Sequence, residues 1–323
     1  MNRADSDVVT QCEDCASAPD TAPSLDTWRA AGLEFEFTGQ RIFYRRAGKG
    51  PPLLLIHGFP TAGWDWYKLW PGLTAGFDVI APDLLGFGFS SKPKRHRYGI
   101  REQADLCEAL CHALGIRRCH VFCHDYGDTV AQELLARQHE GTARLELASL
   151  CLLNGGLFPE THRPRLIQRL LASRVGPLLA RLSSKRRFVR SISAIFGPNT
   201  QPSASELEAF WTLLMHEDGR AVMPQLIGYM RERRVHRARW VGALIDTSIP
   251  MRIINGVLDP VSGEHMLARL LSLRPDADVV KLPVGHYPQI EAPAQTLAAW
   301  LSFVERVLAQ ETEQHRSFER PLL

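Results

Sequence analysis

The sequence has no apolar run of the roughly 18 residues that a membrane-spanning helix needs. The longest candidate, Leu145 to Phe158, is broken by Glu146, Ser149 and Asn154. A transmembrane segment is therefore not expected. Net charge is also scarce. The 38 Lys and Arg against 35 Asp and Glu leave only +3. That gives no general reason to expect nucleic acid as a partner, although an average can hide a local patch. No second CxxC and no nearby His accompany Cys12 and Cys15, so that pair is a weak metal signal. The seven cysteines are an odd number, and five of them (Cys107, Cys111, Cys119, Cys123, Cys151) lie in apolar periodic segments, as buried reduced thiols do. A reducing, cytoplasmic setting is expected. Asp5, Asp7, Glu13 and Asp14 occupy the amino-terminal stretch without an apolar segment, so it does not read as a signal peptide. No cofactor is implied.

What is present is an ordinary globular composition. The chain has 323 residues, 45% hydrophobic and 23% charged, enough to bury a sizeable core. Residues 1–24 lack periodicity and read as a mobile tail. From there, strand signals alternate with helix signals. Leu33 to Phe37 alternates apolar and polar residues, and Thr38-Gly39-Gln40 reads as a hairpin turn into Arg41–Tyr44. Short continuous apolar runs follow at Leu53–Ile56, Val79–Ala81, Cys119–Cys123, Ala148–Leu153, Arg252–Ile254 and Val279–Leu282, as strands buried on both faces show. Helical segments are predicted at 100–114, 127–138, 263–273 and 293–308. The fold class is α/β, with a mostly parallel sheet covered on both faces.

The alternation stops over residues 155–246. There the spacing predicts helices at 165–182, 203–215 and 223–234, an inserted helical lid between core segments 25–154 and 247–311. Over residues 155–245, fifteen Lys and Arg outnumber six Asp and Glu. An anionic substrate or partner would match this excess; a solvated basic face is the simpler account.

Chemistry concentrates at the ends of the predicted strands. Val121 to Gly127 runs from strand into helix with Asp125 between small residues Cys123 and Gly127, the pattern of a nucleophile elbow. Asp125 is either the nucleophile or a helix N-cap. His57-Gly-Phe-Pro60 follows the first buried strand and would bring the Phe59 N–H over the elbow, with the Tyr126 N–H completing an oxyanion hole. His286 lies in a Gly/Pro loop after the last strand, and Asp259 in a turn after the preceding one. The chain order is then nucleophile, acid, base. His124 beside the elbow is a candidate pocket residue or a brace. Asn154, at a strand end nearby, reads as a turn cap, with orienting a water or a neighbouring active-site group as the alternative.

Together these motifs resemble the α/β-hydrolase superfamily, in the branch shared by epoxide hydrolases and haloalkane dehalogenases. Trp64-Asp-Trp-Tyr-Lys68, His124 to Leu135, Asn154 to Pro164 and Arg239 to Leu244 resemble the mesoderm-specific transcript group more closely still. Those proteins begin with a membrane-anchoring segment, which is not expected here. The resemblance implies an α/β-hydrolase fold and a small-molecule substrate.

The nucleophile type narrows the reaction. A carboxylate attacks an electrophilic sp³ carbon directly, giving an alkyl-enzyme ester that His-activated water hydrolyses. An epoxide or a carbon–halogen bond is therefore expected over an ordinary ester. Dehalogenases of this branch use Trp after the nucleophile and Asn or Trp after His-Gly; here Tyr126 and Phe59 stand there. Trp211 or Trp240 of the insertion would have to supply an indole N–H. Epoxide hydrolases of the branch use two lid tyrosines; Tyr229 suits the first, and Trp240 stands near the second. Epoxide hydrolysis is the leading expectation, dehalogenation the alternative, and a non-catalytic binding or membrane-surface protein the third. Oligomeric state is not legible.

Overall fold

The computed structural model describes residues 23–318. Cys12, Cys15 and most of the expected amino-terminal tail lie outside them. Eight strands form one sheet: β1 (Leu33–Phe37), β2 (Gln40–Ala47), β3 (Pro52–Ile56), β4 (Asp78–Pro82), β5 (Arg118–His124), β6 (Glu146–Leu153), β7 (Met251–Gly256) and β8 (Asp278–Leu282). The order is β1-β2-β4-β3-β5-β6-β7-β8. β2 pairs antiparallel with β1 and β4; every other pairing is parallel. The apolar runs explain the parallel part. β3, β5 and β6 are almost wholly buried because helices cover both faces. At the β1–β2 turn, Thr38 and Gly39 both have positive φ, 50° and 76°, which suits the twist of a tight hairpin. The five described cysteines are buried and unpaired.

After β4 the chain crosses back past β3 to form β5. Connections therefore leave β3 and β5 in opposite directions, which opens a crevice at their carboxyl ends. The loops after β3, β5, β6, β7 and β8 all meet on that edge.

Between β6 and β7 the described residues form helices and no strand. The segment expected as one helix over 165–182 is two, Leu166–Leu171 and Gly176–Arg181. Pro177 is the reason: it has no N–H to bond back across the break, and it sits instead in the first turn of the second helix. The predicted helix over 223–234 is likewise divided at Gly228, into Met223–Leu226 and Tyr229–Val235. A further helix, Arg237–Asp246, was not expected as such.

Much of the insertion is fastened by polar contacts to the helices and loops that cover the sheet. Trp240 donates its indole N–H to Glu133 Oε2 at 2.7 Å, and Arg239 pairs with Glu133 and Glu140. Glu206 accepts from Tyr67 and pairs with Lys68, both at the core side. Glu232 accepts from the Ile100 N–H that opens helix Ile100–Ala113. No helix among the described residues is long and apolar enough to cross a membrane.

Candidate active site

Asp125 sits at the junction of β5 and helix Tyr126–His139, with φ 47° and ψ −100°. A non-glycine residue is strained there, and such strain persists only where surrounding structure imposes it. The strain follows from a tight strand-to-helix reversal. Gly127 lies so close to β3 that a Cβ on it would meet the Ile56 carbonyl oxygen at 2.3 Å. Replacing Gly127 with Val should therefore lower stability by at least about 3 kcal/mol, read from the urea midpoint, because the backbone cannot yield there.

The side chain of Asp125 occupies the N-cap position but makes no capping hydrogen bond. It turns toward the crevice instead. Its Oδ2 accepts the Phe59 N–H at 3.1 Å, and its Oδ1 faces His286 Nε2 at 3.9 Å. The N–H of Tyr126 opens the helix, where backbone donors have no helical partner. His57 fixes the loop that carries Phe59. Its Nε2 accepts from the Leu84 N–H at 3.0 Å, so its proton is on Nδ1, 2.8 Å from the Gly58 carbonyl.

On its other side, His286 Nδ1 lies 2.7 Å from Asp259 Oδ2. Asp259 is heavily supported. Its oxygens accept from the Val261 and Ser262 N–H groups, from Ser262 Oγ and from Asn154 Nδ2. Burial alone would push this carboxyl up, but the His286 charge and these donors outweigh burial and hold it at about 2. Burial would lower His286; the Asp259 and Asp125 carboxylates overcome it and raise the imidazole to about 9. Asp125 itself is pushed up by burial, against the pull of His286, the Phe59 N–H and Arg233.

Asp125 and His286 line a cavity of about 150 Å³ with mostly apolar walls. Phe59 and Val261 line it from the core; Leu171, Leu179, Phe188, Ile192, Leu214 and Met223 line it from the insertion. Arg165, Arg187 and Arg220 also reach the lining.

Four residues expected to contact substrate are placed otherwise. Trp240 does not face the cavity, because its N–H is committed to Glu133. Trp211 packs behind Phe188, with ring centroids 5.5 Å apart, outside the lining residues. His124 is fully buried and acts as a brace. Its Nε2 lies 2.8 Å from the His286 carbonyl oxygen and its Nδ1 3.9 Å from Asp65. Burial drives the His124 pKa well down, so the ring is neutral. Tyr229 is not among the lining residues either. Its buried ring packs 4.9 Å from Tyr126 and 6.1 Å from Phe59, and its hydroxyl has no hydrogen-bond partner. Burial, with the Asp125 charge, keeps that phenol protonated.

Asn154 takes the second of its two expected roles, and Arg233 carries more than its sequence context indicated. Asn154 bridges the Gly256 backbone and Asp259, donating to Gly256 O at 3.0 Å and accepting from its N–H at 2.7 Å. Arg233 lies within the basic stretch of the insertion, yet it is buried, over the Tyr229 ring and against Gly156, without a hydrogen bond from any guanidinium nitrogen. Burial lowers its pKa, and Tyr229 and Asp125 oppose that. The spacing of Tyr229 and Arg233, four residues apart and so on one helix face, was the available signal.

Comparison with known proteins agrees with this architecture. A family model for the alpha/beta hydrolase fold matches residues 51–293. The mesoderm-specific transcript homolog protein of Bos taurus is 46% identical over 299 residues, spanning 88% of this chain and 89% of that protein. Haloalkane dehalogenase 2 of Mycobacterium bovis is 27% identical over 271 residues, spanning 82% and 92%. The crystal structure of an alpha/beta hydrolase fold protein from Burkholderia ambifaria superposes with a TM-score of 0.72 at 25% identity, covering 84% of this chain and 97% of that one. With the family model spanning most of its length and a parallel sheet whose loops converge on one crevice, the chain belongs to the alpha/beta hydrolase family.

Proposed function

We propose that this hydrolase opens an electrophilic sp³ carbon through an alkyl-enzyme ester on Asp125, and that its substrate is an epoxide. The observation that carries the reading is the division of labour between the two Asp125 oxygens. Oδ2 is held by the Phe59 N–H, while Oδ1 is free toward His286 and the cavity. Oδ1 attacks the carbon, the C–O bond of the epoxide breaks, and its electron pair goes to the epoxide oxygen with a proton. Oδ2 then becomes the ester carbonyl oxygen, already in place beside its donor. Water, losing a proton to His286 Nε2, adds to that carbonyl carbon. The resulting oxyanion forms on Oδ2, where the Phe59 and Tyr126 N–H groups would receive it. Collapse releases a vicinal diol and restores Asp125.

Two features favour the epoxide. His286, raised to about 9, rests protonated at neutral pH. The alkoxide that ring opening creates consumes that proton, and the imidazole is left neutral for the second step. Once the ester forms, the Asp125 charge that helped raise His286 is gone. A halide leaving group takes up no proton, so dehalogenation would have to expel it to solvent first. The second feature is the unpaired hydroxyl of Tyr229 beside the elbow, together with the diversion of Trp240 to Glu133. Tyr229 lies behind Phe59 and Tyr126 and would have to turn toward the cavity to donate to an oxygen leaving group, whereas the Trp240 indole N–H is already held by Glu133. Dehalogenation remains the second reading because the relative from Mycobacterium bovis is named a haloalkane dehalogenase.

The test is a panel of terminal epoxides and primary haloalkanes, read for diol and halide together. Diol without halide is the expected result. Halide release alone selects the second reading, and neither product overturns both.

A further inference from the structure

We propose that the helices Leu166–Leu171 and Gly176–Arg181 form a face that docks on an anionic lipid surface. The first observation is exposure. Nine large apolar side chains are exposed among the described residues, and six of them, Leu166, Ile167, Leu170, Val175, Leu178 and Leu182, fall within residues 166–182. Leu166 is 71% exposed, Leu178 60% and Leu182 59%. Isolated apolar side chains on a surface need no explanation, but this concentration on two short neighbouring helices does.

The second observation is charge. Residues 161–205 contain nine Lys and Arg and no Asp or Glu. Arg163, Arg169, Arg174 and Arg181 are exposed, and none of them has an ion-pair partner among the described residues. Exposed apolar side chains interleaved with unpaired cations are the composition of an interfacial helix, whose leucines enter the acyl boundary while arginines meet anionic headgroups. A second copy of this chain fits poorly, because two such faces would bring like charges together. A nucleic acid would use the arginines and leave the leucines without a role.

The third observation is position. The inner sides of the same helices, Leu171, Leu179 and Ala180, line the cavity that holds Asp125 and His286, and Ile167 is both exposed and part of that lining. The docking face and the cavity mouth are thus one structure. If the proposed chemistry holds, its substrate is lipophilic and passes from the bilayer to Asp125 past Ile167. The docking itself does not rest on that chemistry.

Vesicles of phosphatidylcholine, with and without phosphatidylglycerol, test the proposal by co-sedimentation of the full chain. Binding is expected only with the anionic lipid. Replacing Arg169, Arg174 and Arg181 together by Gln should weaken it about 100-fold, at roughly tenfold or less per cation. The combined Leu166→Ser, Leu178→Ser and Leu182→Ser variant should also lose binding, and its exposed sites leave the core intact. Equal binding to both vesicle types overturns the proposal, as does binding that survives the serine substitutions. A dimer seen by light scattering and abolished by those substitutions would assign the face to a second copy instead. Asp125→Asn should bind vesicles like the unaltered chain, so failure of the chemistry and failure of the docking are read separately.

Discussion

Replacing His286 with Gln should convert turnover into a single covalent event. Asp125 keeps its strained backbone and its Phe59 donor, so attack on the substrate carbon still proceeds, though more slowly for an epoxide, whose alkoxide must then take its proton from water instead of His286. The ester then has no base to activate water, and its hydrolysis should slow by roughly 10³-fold, within the range for loss of a general base. Intact-protein mass spectrometry reads the outcome directly. An epoxide adds its whole mass to Asp125; an alkyl halide adds its mass less that of hydrogen halide. The adduct thus reports which bond was broken as well as which residue attacked. Absence of any adduct across both substrate classes would remove the proposed mechanism.

Replacing Asp125 with Asn should abolish turnover, by at least about 10⁴-fold in kcat, the order seen when other hydrolases lose a nucleophile. Asn tolerates positive φ nearly as well as any residue but glycine, so the elbow should keep its shape. The neutral amide still accepts the Phe59 N–H but is too poor a nucleophile to open the carbon. The variant carrying both Asp125→Asn and His286→Gln should show no mass gain under conditions that label His286→Gln alone. Labelling that persists in the double variant would place the nucleophile elsewhere.

The sheet was highly legible in the sequence. Each strand buried between helix layers must be apolar along its whole length, and such runs stand out at Leu53–Ile56 and Ala148–Leu153 without any knowledge of partners. The side chains at strand ends were legible for a related reason. A parallel sheet sends every such loop to one edge, so Asp125, Asp259 and His286 had to lie near one another once the strands were placed. What stayed hidden were pairings between distant residues. Nothing local to Trp240 announces that its indole would be taken by Glu133, 107 positions earlier. Asn154 could be placed at a strand end but not seen to grip Asp259, 105 positions later. Arg233 is hidden differently: its neighbours Arg231 and Arg234 are not buried, and only the packing of one helix face distinguishes it. The broken helix at Pro177 was readable in principle, but the apolar periodicity on both sides of it masked the interruption.

The fastening of the insertion is unequal along its length. Its downstream part is pinned through Trp240, Arg239 and Glu232, and Glu206 pins its middle. Residues 166–182 make no ion pair among the described residues. Mechanically residues 166–182 are a span between two anchors, Glu160 and Arg163 against Arg269 and Val261 on one side and Ile195 and Gly197 against His286 and Glu291 on the other, and the span lines part of the cavity. Substitutions along this span can therefore reshape that wall of the cavity without touching the hydrogen bonds that hold Asp125, Asp259 and His286.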